Sequence, residues 1–275
     1  MRKKIFLGKF ISTYFRLKEL LSGECRIMGI RRISIVKRKN YPQVSRFEEN
    51  FEIRDEGEIC VAIGGDGTFL EAARKFDIPI LHIRGGEKES LGFHADVTLE
   101  EVDGIIRDLQ SDMYSIKEYP KIQITHKSGV TNAVNDAIFF RGNPKSVYCK
   151  IYFYDEKGKK ALIYPSDIKG DGVIFSRQIG STAYNFSAHG PIIYEVDVMA
   201  ITPISANFKF SIISNKNFYV KVTKNIGFLQ CDGVEIDRLS KGDVFTVNRS
   251  KKVVKVIKLK NMEGFSRKLA RLLKF

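Results

Sequence analysis

The sequence predicts an α+β protein: a Rossmann-like α/β region first, then an all-β, sandwich-like region. Three observations carry this. The stretch Glu58–Phe76 reads as buried strand, glycine turn and helix. Further strands and helices alternate around it up to about residue 110. Beyond Tyr114, short β-branched and aromatic runs recur every 8–12 residues, the texture of a sandwich or barrel.

Taken in order, Lys4–Leu7 reads as a first strand. Ser12–Leu21 reads as a helix closed by Gly23, and Ile33–Val36 as a second strand. Residues 38–57 are charged and hold Pro42, so a loop or short irregular helix is expected. Ile59, Val61, Ala62 and Ile63 make a strand covered on both faces. Gly64-Gly65-Asp66-Gly67 breaks it, and Thr68 opens a helix with Phe69, Leu70, Ala72, Ala73 and Phe76 as its apolar side. Ile78–Ile83 is the next strand, and Gly85–Ser90 a polar loop. Thr98 and Glu101 form a capping box ahead of a helix buried through Leu99, Val102, Ile105, Ile106 and Leu109. The β-rich part includes Ile122–His126, Ala133–Phe140, Val147–Tyr154, Ala161–Tyr164, Gly172–Ser176, Phe218–Thr223, Phe228–Cys231 and Val244–Val247. Asp155–Gly158 marks a hairpin, Val253–Leu259 a last strand, and Phe265–Phe275 a short amphipathic helix.

Composition narrows the classes. No apolar run approaches the length of a membrane span. Lys9 and Arg16 break the apolar stretch that a signal peptide needs. Four scattered cysteines form no CxxC pair, so neither zinc nor a disulfide framework is indicated, and a cytoplasmic protein is expected. The four histidines show no metal-ligand spacing. The net charge is +14, concentrated at the ends: residues 1–46 hold 13 basic against 2 acidic side chains, and residues 248–275 hold 10 against 1. A solvated lysine-rich surface accounts for this better than a nucleic-acid surface.

The chemistry-bearing stretches are three. In the first, a glycine turn at a helix start offers free N–H groups and the positive end of the helix dipole to a phosphate. Asp66 stands there as an anomaly, since a carboxylate repels phosphate unless it takes a proton or holds Mg²⁺. A plain tight turn, with Asp66 bonding its own backbone, is the competing reading. The second stretch is Gly170-Asp171-Gly172, then a strand, then Gly180-Ser181-Thr182-Ala183-Tyr184. The third is Asn135-Asp136 in an apolar run, where polar groups need hydrogen-bond partners or a ligand. GxxxxGK[ST] is absent, so any nucleotide site is not a P-loop.

Together these stretches resemble the NAD kinase family: GGDGTFL at 64–70, LGF at 91–93, Asn135-Asp136, GDG at 170–172 with GSTAY at 180–184, and Cys231-Asp232-Gly233. The resemblance implies a kinase-type α/β domain spanning 1–98, with 249–275 returning to it, and a β-rich dinucleotide-binding domain spanning 99–248. It implies transfer of a phosphoryl group from ATP or polyphosphate, with Mg²⁺, to the adenosine ribose 2′-hydroxyl of NAD. Asp66 resembles the residue that activates that hydroxyl. Gly65 and Gly67 would line the phosphates, and Phe93 would border the dinucleotide. Asn135 and Asp136 resemble an Asn-Glu pair that holds adenosine. Asp171, Thr182, Ala183, Tyr184 and Ser187 resemble residues around the nicotinamide half and a partner subunit, and Asp232 an acidic residue near ribose and phosphates. A homodimer or homotetramer is implied, with no membrane partner. The chain departs from the pattern at Asp136, at Arg177-Gln178-Ile179 where Thr-Pro-Thr is usual, at His189, and in the 84–90 loop. Two other readings stay open: a lipid kinase of the diacylglycerol or sphingosine type, which shares GGDGT, and a non-catalytic protein that binds dinucleotides or nucleic acid.

Overall fold

The computed structural model describes residues 29–86, 93–154, 157–260 and 264–273. The expected strand at Lys4–Leu7, the helix at Ser12–Leu21, most of the 84–90 loop, Leu91-Gly92 and part of the Asp155–Gly158 hairpin lie outside the described residues.

The first region runs β1 (Arg32–Lys37), α1 (Val44–Asn50), β2 (Glu52–Ile53), β3 (Ile59–Ile63), α2 (Asp66–Lys75), β4 (Ile80–Arg84), β5 (Val97–Thr98) and α3 (Val102–Gln110). Its strands pair in parallel in the order β2-β1-β3-β4, with β5 on β4. All five residues of β3 are buried, because both faces of the sheet are covered. Successive side chains point to opposite faces. Cys60 and Ala62 therefore meet Phe69, Ala72 and Ala73 of α2, while Ile59, Val61 and Ile63 meet Ile105, Ile106 and Leu109 of α3. The capping box ahead of α3 forms as the sequence implies, the Thr98 N–H donating to Glu101 Oε2 at 2.8 Å.

The second region runs β6 (Tyr114–His126), β7 (Gly129–Ala133), β8 (Asp136–Arg141), β9 (Val147–Tyr154), β10 (Lys160–Leu162), β11 (Ile168–Gly170), β12 (Gly172–Ser176), α4 (Tyr184–Ser187), β13 (Met199–Ile204), β14 (Ile212–Ser214), β15 (Asn217–Lys224), β16 (Gly227–Cys231), β17 (Val234–Leu239) and β18 (Val244–Leu259). One antiparallel sheet has the order β14-β13-β12-β8-β16-β17. Its inner residues Phe139, Phe175, Ile201 and Leu229 pack on Ile151, Phe218, Val220 and Val247 of the facing sheet. This is a sandwich, and α5 (Phe265–Leu273) follows it. The α/β-then-β-sandwich order agrees with the sequence reading.

The strands Met199–Ile204, Ile212–Ser214 and Val234–Leu239 lie outside the expected runs, and four other differences bear on the site. Val244–Val247 and Val253–Leu259 are one strand of 16 residues, β18, with a bulge between Arg249 and Val253. Its first half pairs with β15 in the sandwich, and Val256 pairs in parallel with Ile80 of β4. Strand β6 starts at Tyr114, eight residues before the expected Ile122; Lys117, Glu118 and Pro120 obscured that half. Ala133–Phe140 is not continuous but breaks at Val134-Asn135. Helix α2 starts at Asp66, which places that carboxylate in its first turn.

Candidate active site

The glycine turn forms because β3 must reverse into α2 within two residues. Gly64 has φ +149, and a Cβ there would lie 2.5 Å from Thr68 Oγ1. Gly65 is the N-cap, in extended backbone. The Asp66 carboxylate accepts the Phe93 N–H on Oδ2 and the His94 N–H on Oδ1, each at 3.1 Å. Burial pushes its pKa up, but the imidazoles of His94 and His82 and the two N–H donors outweigh this, so Asp66 lies below its ordinary value. Burial lowers the pKa of both imidazoles, His82 to about 4. Near neutrality, therefore, the N–H donors carry the effect at Asp66.

His82 lies under the turn. Its Nε2 is 3.1 Å from Gly64 O, an acceptor, which puts the proton on Nε2. Its buried Nδ1 has no partner among the described residues. Phe69 stands between the two imidazoles, with ring centroids 5.4 Å from His82 and 5.6 Å from His94.

A second cluster forms at the break between β7 and β8. Asp232, in left-handed backbone at φ 49, accepts the N–H groups of Val134, Asn135 and Asp136 at 2.8, 2.7 and 3.3 Å. One carboxylate thus satisfies three donors that the break takes out of the ladder. Burial raises the Asp232 pKa although these three bonds oppose it. Asp136 is pushed up to about 7, by burial first and then by the Asp232 charge. Asn135 is buried, and its Oδ1 has no partner among the described residues.

The Gly180–Thr182 turn sits directly on this cluster. A Cβ at Gly180 would lie 1.8 Å from Asn135 O, so only glycine permits the contact. Thr182 Oγ1 donates to Ile179 O at 3.3 Å, and Ala183 is half-buried. Asn185 holds α4 in place: its Nδ2 donates to Ser181 O and Pro191 O, and its Oδ1 accepts Thr202 Oγ1 at 2.7 Å. Tyr184 is 40% exposed. Burial first, and then the charges of Asp171 and Asp136, raise its pKa. Asp171 pairs with Arg141 at 3.2 Å. Ser187 is exposed at the end of α4.

A cleft lies beside the Phe93-His94 backbone that holds Asp66. A cavity of about 380 Å³ is lined by Phe69, Phe93 and His94 on one side, by Ile179 and Thr182 on the other, and by Phe265 and Lys268 of α5. An adjoining cavity of about 470 Å³ shares Ile179 and reaches Val134, Arg177 and Arg249. Chemically, the cleft borders an anion-accepting helix start whose first-turn carboxylate is tied to Phe93 and His94, and it carries the Thr182 hydroxyl residue on its other wall.

Residues 29–114 match the family model of the ATP-NAD kinase N-terminal domain, and residues 157–259 match that of its C-terminal domain. The chain belongs to the NAD kinase family. It is 31% identical to the NAD kinase of Clostridium kluyveri over 215 residues, 73% of each chain. It is 33% identical to that of Natranaerobius thermophilus over 220 residues, 74% of this chain and 73% of that one. In fold it resembles the crystal structure of an NAD kinase from Archaeoglobus fulgidus in complex with ATP, with TM-score 0.71, 20% identity, and coverage of 89% of this chain and 99% of the other. It also resembles yeast NADH kinase complexed with NADH, with TM-score 0.76, 20% identity, and coverage of 90% and 88%.

Within this NAD kinase fold the departure at Arg177 has a local explanation. Its side chain is buried and pairs with Asp197, which also holds Arg249 at 2.5 Å. His82, His94 and Lys268 went unselected in the sequence. The two histidines are single polar residues in apolar runs and Lys268 is one of several basic residues of an amphipathic helix, and only the fold brings them to the turn and the cleft.

Proposed function

We propose that the protein transfers the terminal phosphoryl group of ATP to the adenosine ribose 2′-hydroxyl of NAD, giving NADP and ADP. The observation that carries this is Asp66 in the first turn of α2, tied to Phe93 at the wall of the cleft that Thr182 lines. In this reading the N–H groups at Gly65 and Gly67 face phosphate. The unpartnered Oδ1 of Asn135 receives an amine of the adenine ring. Phe93 and Tyr184 offer ring faces, and Ala183 lets the ligand approach. Asp232 acts through the backbone it holds, setting Asn135 and Asp136 in place. Asp171, paired with Arg141, faces Tyr184 and the nicotinamide end, with Ser187 toward a partner subunit.

The 2′-oxygen attacks the terminal phosphorus, the bridging bond to ADP breaks, and the hydroxyl proton passes to Asp66. No group of three or more metal-ligating side chains occurs among the described residues. The residues fit a Mg²⁺ that would be carried on the donor phosphates, with Asp66 as the carboxylate of the glycine turn available to it. Mg²⁺ neutralises developing phosphate charge when bound. A homodimer or homotetramer in the cytoplasm, and a division into residues 1–98 with 249–275 and residues 99–248, belong to the same reading. Polyphosphate remains the second donor to try.

The test is a coupled assay. Protein, NAD or NADH, Mg²⁺ and either ATP or polyphosphate are incubated, and NADP or NADPH is read by a specific dehydrogenase. Asp66→Asn should lower turnover about 10²- to 10⁴-fold with the fold intact. A loss under about tenfold removes the base role. No product with any donor favours the lipid-kinase or binding-protein readings.

A further inference from the structure

The glycine turn contains one peptide unit that neither neighbouring ladder holds. The Gly64 N–H still belongs to the sheet, donating to Ile83 O at 2.9 Å. The helix ladder opens one residue later, where Gly65 O accepts the Thr68 and Phe69 N–H groups at 2.9 and 3.4 Å. Between them lies the unit made of the Gly64 carbonyl and the Gly65 N–H. Its adjoining torsions, ψ of Gly64 and φ of Gly65, both belong to glycines. Glycine takes either sign of φ at little cost, so this unit can turn over where others cannot. The unit is planar and trans, so its N–H points opposite to its carbonyl. The side that the carbonyl faces therefore decides where the Gly65 N–H points.

His82 makes that choice. It stands opposite Ala62 in the β3–β4 pairing, on the sheet face that α2 covers. Its Nε2, 3.1 Å from Gly64 O, makes the one bond to this unit among the described residues. The ring is 2% exposed, and Phe69 stacks on it at 5.4 Å and 25°. The arrangement carries a cost, because Nδ1 is buried without a partner among the described residues. A phenyl ring would fill the same space and strand no nitrogen. A histidine that strands one nitrogen is accounted for by the bond that the other makes.

We propose that His82 is a positioning residue: by holding the Gly64 carbonyl beneath the turn, it directs the Gly65 N–H away from itself and fixes the first turn of α2, which carries Asp66. This role rests on the phosphoryl-transfer reading above. His82 acts through the backbone and takes no proton in the reaction. Burial holds its pKa down to about 4, so the imidazole stays neutral where Asp66 is charged. A neutral ring with its proton on Nε2 has its donor on the carbonyl and its bare nitrogen elsewhere.

The experiment compares wild type with His82→Gln and His82→Phe. Glutamine brings an N–H donor to the reach of Nε2, whereas phenylalanine keeps the ring and its stack on Phe69 but has no donor. In the coupled assay His82→Phe should lower kcat about 10- to 100-fold, with KM for NAD within about twofold of wild type. His82→Gln should recover that loss to within about threefold of wild type. Unchanged kcat in His82→Phe overturns the proposal. So do equal losses in both variants that follow their Tm, the mark of a merely structural role. A second readout needs no activity. Nitrogen NMR of the wild-type imidazole should show the proton on Nε2 alone from about pH 5 to pH 8. A proton on Nδ1, or titration within that range, overturns the proposal and decides the matter if His82→Phe fails to fold. If wild type makes no NADP with any donor, the phosphoryl-transfer reading fails, and the spectrum still reports whether His82 holds the turn.

Discussion

Asp66 and Asp136 show how residue type and environment separate two carboxylates. Asp66 keeps two N–H donors and stays below its ordinary pKa; Asp136 is raised to about 7 by burial and the neighbouring Asp232 charge. In the unfolded chain Asp136 returns to near 3.8. Between these values the folded state binds more protons than the unfolded state, so this contribution to stability is full below about pH 4 and is lost as pH rises through about 7. Asp136→Asn should flatten that window and raise Tm relative to wild type near pH 8, as read by thermal melts across pH. A wild-type and variant Tm difference that does not change between about pH 5 and pH 8 would remove the assignment. Asp66 was legible from sequence because a carboxylate in a phosphate-type turn contradicts its surroundings. The role of Asp232 was not, because its partners are backbone N–H groups about a hundred residues away.

At the scale of elements, one contact within the β-rich region and one between the two regions shape the surroundings of the cleft. The Gly180 turn rests on the Asn135 carbonyl, and Lys121 of β6 donates to Ala73 O near the end of α2 at 3.0 Å. Burial lowers the Lys121 pKa, yet its ammonium caps a carbonyl that the helix leaves unsatisfied. Gly180→Ala must displace backbone, because the clash is with a carbonyl rather than a flexible side chain. It should lower stability by about 2 kcal/mol or more and weaken NAD binding, measured by denaturant unfolding and calorimetric titration. Lys121→Met keeps the stem but strands the Ala73 carbonyl, and should cost about 1–3 kcal/mol. Periodicity revealed β3, α2 and α3 because each buries a regular face. It missed the first half of β6 and the continuity of β18, because charged residues and a bulge interrupt their alternation while pairing with each other supplies the strand geometry.

On the scale of the whole molecule, β18 decides how the two regions behave. The parallel strands β1 to β4 and the sandwich strands β9 and β15 belong to one sheet, and β18 is the strand that joins them. Its partner β6 runs alongside it from Thr246↔Thr125 to Leu259↔Tyr114, across the bulge. Separating the regions would therefore break backbone pairing along both strands and expose Val254, Val256 and Ile257, all buried. Two domains joined by a flexible linker would instead melt independently. The expected outcome is one calorimetric transition, with calorimetric and van't Hoff enthalpies in agreement despite the length of the chain. A donor-phosphate analogue should shift that single transition upward as a whole. Two resolved transitions, only one of them moved by ligand, would show that β18 does not couple the regions. The cleft would then be assembled by ligand rather than built by the shared sheet.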